Sequence, residues 1–291
     1  MPLLKPSACQ GCPFYALSNY ITPDTIIPDS EVLILAQNPG EHEERGKRII
    51  SYRYEYGKRV EVTEDVKPQP LIGATGNWLQ REFWPLTKID YTKVSKANVI
   101  KCRPYDKNDL PSIGSNKPVN NITVTMLKRA IEHCTRVYLR IPRSTKYIMA
   151  MGGISLYSLT EQESITDWRG WVIGKDLQEG TVLGIDNYYT PMAGSTLYPH
   201  LVDTFPVIHI ASLFQSSQYY HATLIDFYKF GRLVRGEWPS ALPNIHINIL
   251  PPSIPTTVGF DTEYNPTDNN RLEMWSMADV EGNIYVVDSE Y

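Results

Sequence analysis

Short apolar runs alternate with longer mixed segments along the first 235 residues of the chain. The runs are continuous, which is typical of strands that are buried on both faces of a parallel sheet. They lie at 30–36, 97–104, 147–153 and 205–212. Between and after them, helices are predicted from a glycine-bearing loop at 70–79 to about residue 83, and at about 124–134, 153–159 and 218–235. This order of strands and helices predicts an α/β fold with a largely parallel sheet.

A different pattern lies between the first two runs. Polar and apolar residues alternate at 49–55 and 59–63, on either side of Tyr56-Gly57-Lys58. This pattern predicts a β-hairpin with Gly57 in its turn. Its arginine, lysine and tyrosine side chains suit either contact with a nucleic-acid backbone or an ordinary solvated face, and the pattern leaves both open.

The last part of the chain has its own organisation. Prolines at 239, 243, 251, 252 and 255 predict a linker over 236–255. Strands are predicted at 256–264, 272–278 and 283–288. Since three strands cannot bury a core alone, we expect one domain over 1–235, the linker, and a truncated second domain over 256–291.

Charge and hydropathy narrow the class of protein. No run of about 18 uncharged apolar residues occurs, and Met1–Pro6 lacks the features of a signal peptide, so the sequence predicts a cytoplasmic protein without a membrane span. Residues 256–291 hold eight acidic residues and one basic residue, which leaves 24 acidic and 27 basic residues, or +3, for 1–255. A mildly basic N-terminal part permits DNA binding without requiring it.

The four cysteines, Cys9, Cys12, Cys102 and Cys134, are unlike a disulfide framework in a cytosolic chain. Cys9-Gln10-Gly11-Cys12 puts two thiols one tight turn apart, as metal and cluster sites require, and the other two complete a set of four. A redox pair, or unrelated buried thiols, is the alternative that spacing leaves open.

Amide side chains lie next to the first two runs. Gln37-Asn38-Pro39-Gly40 follows the run 30–36, and the carboxyl edge of such a sheet is where open α/β folds bind ligands. Asn98 is expected at the head of a strand that ends in Cys102-Arg103-Pro104. Its amide offers both an acceptor and donors, as reading a nucleobase requires.

Together, six motifs in this order resemble the iron–sulfur (family 4) uracil-DNA glycosylases. The motifs are Cys9-x-x-Cys12, the stretches 36–43, 70–76 and 97–104, Cys134, and His209-Ile210-Ala211-Ser212. The resemblance implies a three-layer α/β sandwich around a mostly parallel sheet. It also implies that Cys9, Cys12, Cys102 and Cys134 hold a structural [4Fe-4S] cluster.

The same resemblance implies roles for residues at the sheet edge. Gln37 and Asn38 would lie beside the sugar C1′, Asn98 would read a flipped uracil, and His209 would face the base O2. Leu71, Gly40, Gly73 and Ser212 would complete the substrate-binding set.

This chain also departs from the family. It has Ala36-Gln37-Asn38-Pro39-Gly40 in place of Gly-Glu-Ala-Pro-Gly, so that Asn38 resembles a water-positioning asparagine of related glycosylases. Leu71 stands where an aromatic residue is expected to stack on the base, and the hairpin adds about twenty residues.

The C-terminal segment is similar to the first three strands of a 3′-5′ proofreading exonuclease domain with a ribonuclease H-like fold. The resemblance implies that Asp261 and Glu263 hold divalent metal ions, Mg²⁺ or Mn²⁺, in the complete domain. A solvated acidic strand end is the alternative.

The combined expectation is a uracil-DNA glycosylase domain at the start of a viral or bacterial DNA polymerase. It would hydrolyse the N-glycosidic bond of uracil, with single-stranded or uracil-containing DNA and the downstream domains as partners. The location would be the host cytoplasm if the protein is viral. The alternative is a catalytically inactive DNA-binding or uracil-sensing module with a purely structural cluster.

Overall fold

The computed structural model describes residues 2–56, 58–104, 110–142, 144–173 and 202–237, and the backbone of four strands within 244–288. The chain divides into two compact units, Met1–Glu237 and Trp238–Tyr291. Among the described residues, no helix is both long enough and apolar enough to cross a membrane.

The first unit is built on a four-stranded, all-parallel sheet, as the apolar runs predict. The strand order is β6-β3-β7-β8, with β3 in register with β6 on one side and β7 on the other. An outlying pair, β1 and β2, is antiparallel. The strands of this unit are β1 (Leu3–Leu4), β2 (Tyr20–Ile21), β3 (Val32–Ala36), β4 (Lys47–Glu55), β5 (Lys58–Asp65), β6 (Ser95–Asn98), β7 (Tyr147–Met151) and β8 (Asp203–Val207).

Helices follow most of the strands. In chain order they are α1 (Glu41–Arg45), α2 (Ala74–Trp78), α3 (Val124–Tyr138), α4 (Gly153–Thr160), α5 (Ile165–Trp168), α6 (Ile210–Leu213) and α7 (Tyr220–Val234). A π-helical turn, Leu79–Phe83, continues α2. Short 3₁₀ helices lie at Ser7–Cys9, Tyr15–Leu17, Trp84–Thr87, Tyr91–Lys93 and Ser217–Tyr219.

The core lies on both faces of the sheet because successive strand residues point to opposite sides. On one face, Leu33 and Leu35 of β3 join a buried cluster with Leu127 and Ile131 of α3. On the other, the ring of Phe205 in β8 lies 5.5 Å from that of Phe230 in α7. The predicted α/β class and parallel sheet are therefore confirmed.

Helix α3 shows how the local sequence fixes an element. The hydroxyl of Thr123 accepts a hydrogen bond from the Met126 N–H at 3.2 Å, which caps the first turn. Buried residues then recur at helical spacing, Leu127, Ala130, Ile131 and Cys134, so that one stripe faces the sheet.

Two predicted strands end earlier than expected. Asn98 is the last residue of β6, not the head of a strand, although Val99 and Ile100 stay fully buried. Their N–H groups donate to the carbonyls of Ala36 and Gln37 at 2.9 Å. Similarly, β8 ends at Val207, because His209 caps helix α6.

The predicted hairpin forms. β4 and β5 pair antiparallel from Lys47–Asp65 to Glu55–Lys58, with a register shift between Ile49 and Ser51. Gly57, predicted in the turn, lies outside the described residues, and so does most of the segment 174–201.

The second unit contains a mixed four-stranded sheet. Its order is β10-β11-β12-β9, with β9 parallel to β12 and the other pairs antiparallel. The strands are β9 (Asn244–Ile247), β10 (Val258–Asn265), β11 (Arg271–Asp279) and β12 (Asn283–Asp288). β9 lies within the segment 236–255 that was predicted as a linker, so these four residues belong to a sheet. The limits of the glycosylase-like and exonuclease-like domains stay predictions.

Candidate functional site

The carboxyl edge of the parallel sheet brings together most of the predicted site residues. Gln37 and Asn38 follow β3, Asn98 ends β6, and His209 lies two residues beyond β8. Gly152 follows β7 at the same edge. All four strands run in one direction, so residues far apart in sequence meet here.

Asn98 is almost fully buried, with 1% of its surface exposed. Its Nδ2 donates to Oε2 of Glu43 at 3.3 Å, and its backbone N–H donates to Oδ1 of Asp24, also at 3.3 Å. The amide oxygen Oδ1 is buried and has no hydrogen-bond partner among the described residues. A buried acceptor without a partner is costly, so this oxygen is suited to accept an N–H from a ligand.

Glu43 is a site residue that the sequence motif contained but to which no role was given. It lies on α1, and its Oε1 accepts the backbone N–H of Leu71 at 2.8 Å. Burial raises the pKa of Glu43 to about 7, against the opposing effect of hydrogen bonds from Leu71, Asn98 and Gly40. One carboxylate thus joins three of the predicted substrate-binding residues.

The loop from Leu71 to Gly76 is tightly closed. Leu71 is buried and has a φ of 61°, a left-handed conformation that is uncommon for residues other than glycine. A Cβ on Gly76 would lie 1.9 Å from the Leu71 carbonyl oxygen, which explains why glycine is required there. Gly73 precedes α2, and a Cβ at Gly73 would lie 3.3 Å from Cβ of His42.

Gln37, Gly152 and His209 are in close contact. Gly152 has a φ of 90°, and a Cβ built on it would lie 2.1 Å from Nε2 of Gln37 and 2.9 Å from Cβ of His209. The missing side chain at position 152 therefore makes room for two of the predicted catalytic residues. Sequence reasoning noted the glycines after this strand but gave them no function.

His209 is fixed as a neutral donor. Its Nδ1 accepts the N–H of Ala211 at 3.2 Å, so the ring proton of the neutral imidazole is on Nε2. Burial lowers the pKa of His209 to about 4. The imidazole is uncharged at neutral pH, and its Nε2–H can donate to an oxygen of a ligand.

The remaining predicted residues at this edge are more exposed. Asn38 is half-buried, and its Nδ2 donates to the Pro39 carbonyl at 3.4 Å. Gly40 precedes α1 and accepts the N–H of Glu44. Ser212 is exposed, and its N–H donates to the His209 carbonyl at 2.9 Å.

A buried ion pair lies between Asn98 and the cysteines. Nζ of Lys101 is 2.7 Å from both carboxylate oxygens of Asp24 and also donates to the carbonyl of Asn98. Asp24 in turn accepts the Asn98 N–H. The turn that follows β6 is thus held from Asn98 to Lys101, directly before Cys102.

The four cysteines are all buried and line one small cavity. Cys9 and Cys12 lie near the N-terminus, Cys102 follows the turn after β6, and Cys134 is in α3. A hydrogen bond from the Cys134 thiol lowers the pKa of Cys12 to about 7, while burial raises the pKa of Cys102 to about 12. Sγ of Cys9 lies 2.9 Å from the hydroxyl of Tyr138.

Within the described ranges, no three His, Cys, Asp or Glu side chains are arranged to bind a metal ion. The ligands of a [4Fe-4S] cube surround a cluster rather than one ion, so they stand further apart. Four buried thiols around one cavity fit such a cluster by the chemistry of the donor set.

Asp261 and Glu263 lie two residues apart on β10. They pair in register with Ser276 and Met274 of β11. Residues at this spacing share a face of a strand. Their role as metal ligands stays a prediction.

Comparison with known proteins gives one distant relative. A type-4 uracil-DNA glycosylase of Sulfurisphaera tokodaii is 23% identical over 158 residues, which are 53% of this chain and 59% of the relative. The chain thus spans less than two thirds of that relative's length. No family model matches the chain. This distant similarity supports a uracil-DNA glycosylase-like domain, and the four-stranded parallel sheet is compatible with that fold.

Proposed function

We propose that the first unit hydrolyses the N-glycosidic bond of uracil in DNA. The observation that carries this proposal is the unpartnered, buried Oδ1 of Asn98 beside a neutral His209 at the carboxyl edge of the sheet. The distant glycosylase relative supports the reaction class.

Asn98 would read the edge of a uracil flipped out of the DNA strand. Because its Nδ2 donates to Glu43, its Oδ1 is left to accept the N3–H of uracil, and its second amide hydrogen can donate to O4. Cytosine carries no hydrogen on N3 and would leave Oδ1 without a partner there. Flipping costs a few kcal/mol, which these hydrogen bonds help to offset.

Bond cleavage would place negative charge on the base and positive charge on the sugar. A water attacks C1′, the C1′–N1 bond breaks, and its electron pair leaves with uracil and spreads onto O2. The Nε2–H of His209 would stabilise the charge at O2. Asn38, with Gln37 beside it, would position the water at C1′.

A [4Fe-4S] cluster held by Cys9, Cys12, Cys102 and Cys134 would join the N-terminus, the turn after β6 and α3. Its contribution when bound would be structural.

A non-catalytic, uracil-sensing module is the second candidate. The observation that favours it is Leu71, because an aliphatic side chain cannot stack on a flipped base as an aromatic ring does. Such a module would bind uracil-containing DNA through Asn98 and leave the bond intact.

The second unit would be the start of a proofreading exonuclease domain in a DNA polymerase. The antiparallel order β10-β11-β12 and the Asp261-x-Glu263 spacing support this. The D261A/E263A double variant of the full chain should then bind Mn²⁺ more weakly, and unchanged Mn²⁺ binding would contradict the metal site.

The glycosylase proposal is tested by incubating an excess of the full chain with a single-stranded oligonucleotide that contains one uracil. We expect release of free uracil by the wild type, and strongly reduced release by H209A and N98A. Binding of the oligonucleotide without release would instead support the uracil-sensing module.

A further inference from the structure

A second cleft lies beside the candidate site, between the hairpin and helix α2. It has a volume of about 840 Å³, within the usual range for ligand sites. Residues of the hairpin form one wall, and residues of α2, the π-helical turn and Phe214 form the other. Sequence reasoning left open whether the hairpin face contacts nucleic acid or is merely solvated.

The cleft presents an aromatic surface. Phe214 is 57% exposed, and its ring stacks on that of Trp78 with centroids 4.6 Å apart and planes inclined by 28°. Trp78 also stacks on Tyr220. An exposed ring that is held by another ring is a rigid platform, and nucleobases stack on such platforms whatever their sequence.

The cleft also presents two cations that are free to bind an anion. Arg59 lies over the ring of Tyr52 at 3.6 Å, and neither Arg59 nor Arg81 forms an ion pair with any described carboxylate. Of the two acidic residues in the lining, Glu61 is bound to Nε2 of His42 at 2.7 Å, and only Glu82 remains. Arginines beside aromatic rings suit a chain of phosphates and bases.

The cleft is physically continuous with the candidate site. Phe214 directly follows α6, which His209 caps, and Ala74 in the cleft follows Gly73. The His42–Glu61 pair ties β5 to α1, the helix that carries Glu43. A strand that leaves the candidate site therefore has a direct path into the cleft.

From these features we infer that the cleft binds unpaired nucleotides of a single DNA strand that flank the target base. The choice of DNA rests on the proposed function, whereas stacking on Phe214 and phosphate contact with Arg59 and Arg81 rest on the cleft itself. The hairpin is then a DNA-binding element and not only a solvated face.

The test uses a fluorescent oligothymidylate of about 16 nucleotides that contains no uracil, so that binding is measured apart from catalysis. In the full chain, Phe214→Ala should weaken binding by roughly five- to a hundredfold, and Phe214→Trp should restore it. The R59A/R81A double variant should weaken binding and lower the dependence of log Kd on log salt by about 1.

Two matched controls lie elsewhere on the first unit. R129A removes an exposed arginine of α3, which packs on the other face of the sheet, and Y228A removes an exposed ring of α7. Both should bind like the wild type. Circular dichroism spectra that match the wild type show that each variant is folded.

Unchanged binding by F214A and by R59A/R81A would overturn the inference. So would equally tight binding of a duplex with the same losses, or a dimer that F214A dissociates while DNA binding is unchanged. Cleft-dependent binding without uracil release would contradict the proposed function alone. Uracil release with binding that is indifferent to the cleft variants would contradict this inference alone.

Discussion

Asn98 and Glu43 form a buried side-chain pair in which Nδ2 of the amide donates to Oε2 of the carboxyl group at 3.3 Å. A carboxylate only accepts hydrogen bonds, so the pair fixes which end of the amide faces Glu43. The same carboxyl group holds the N–H of Leu71 through its other oxygen. Glu43 is therefore a positioning residue for the base reader and for the loop next to it.

Glu43→Gln should slow uracil release about ten- to a hundredfold, because a glutamine can donate as well as accept and no longer fixes the Asn98 amide. The measurement is the single-turnover rate of release, with circular dichroism to check folding. Glu41→Gln on the same helix is the control, since Glu41 is exposed and bound to Arg45. Equal rates in the two variants would contradict the positioning role.

Asn98→Asp should reduce uracil release and shift preference toward cytosine. A carboxylate at this position accepts from the cytosine N4 amino group but offers no donor to the uracil O4. Oligonucleotides that differ only in the target base give the ratio of the two rates, and Asn98→Ala should lose both. An unchanged base preference in N98D would remove Asn98 as the reader.

The raised pKa of Glu43 predicts a specific dependence of stability on pH. Its carboxyl group titrates near pH 7 in the folded state and near 4.5 when unfolded. The folded state therefore holds the proton more tightly, and the contribution of Glu43 to the free energy of unfolding falls as pH rises from about 5 to about 7. His209 acts in the opposite direction, since its pKa is lowered to about 4, so stability from this group rises over about pH 4 to 6.5.

Urea unfolding of wild type and Glu43→Gln at several pH values separates these effects. The stability of the wild type relative to the variant should decrease between about pH 5 and 7 and be constant above about pH 8. A difference that does not change with pH would show that Glu43 titrates normally.

The four thiols predict a brown protein when it is purified under anaerobic conditions. Iron and sulfide should be present in equal amounts, about four of each per chain. Cys102→Ser should lower both and reduce thermal stability, because the turn after β6 would no longer be joined to α3. A colourless wild type with four free thiols would remove the cluster from the proposal.

Much of the framework follows from the sequence, because continuous apolar runs have few alternatives to buried parallel strands. The four strands of the main sheet and the hairpin were predicted on that basis. The ends of the strands were less accessible, since Val99 and Ile100 are as apolar and as buried as any strand residue but lie outside β6. Burial alone does not separate a strand from the turn that follows it.

The candidate site was predicted in part. Gln37, Asn98 and His209 could be named because strand ends and motifs identify them, and the structure brings them to one edge. Glu43 and Gly152 were missed as individual contributors. The role of Glu43 depends on contacts with residues 28 and 55 positions away, and that of Gly152 depends on its distance from Gln37 and His209.

Gly152 offers the most local test of the site, because its neighbour is a matched control. Gly152→Ala introduces a Cβ into the space between Gln37 and His209, at a φ of 90° that alanine rarely adopts. We expect the two side chains to be displaced and uracil release to fall by about a hundredfold, with DNA affinity in the adjacent cleft retained. A Cβ on Gly153 would meet no atom within 4 Å, so Gly153→Ala should release uracil at the wild-type rate. Wild-type activity in G152A would show that the contact of Gln37 and His209 across Gly152 is not needed for the reaction.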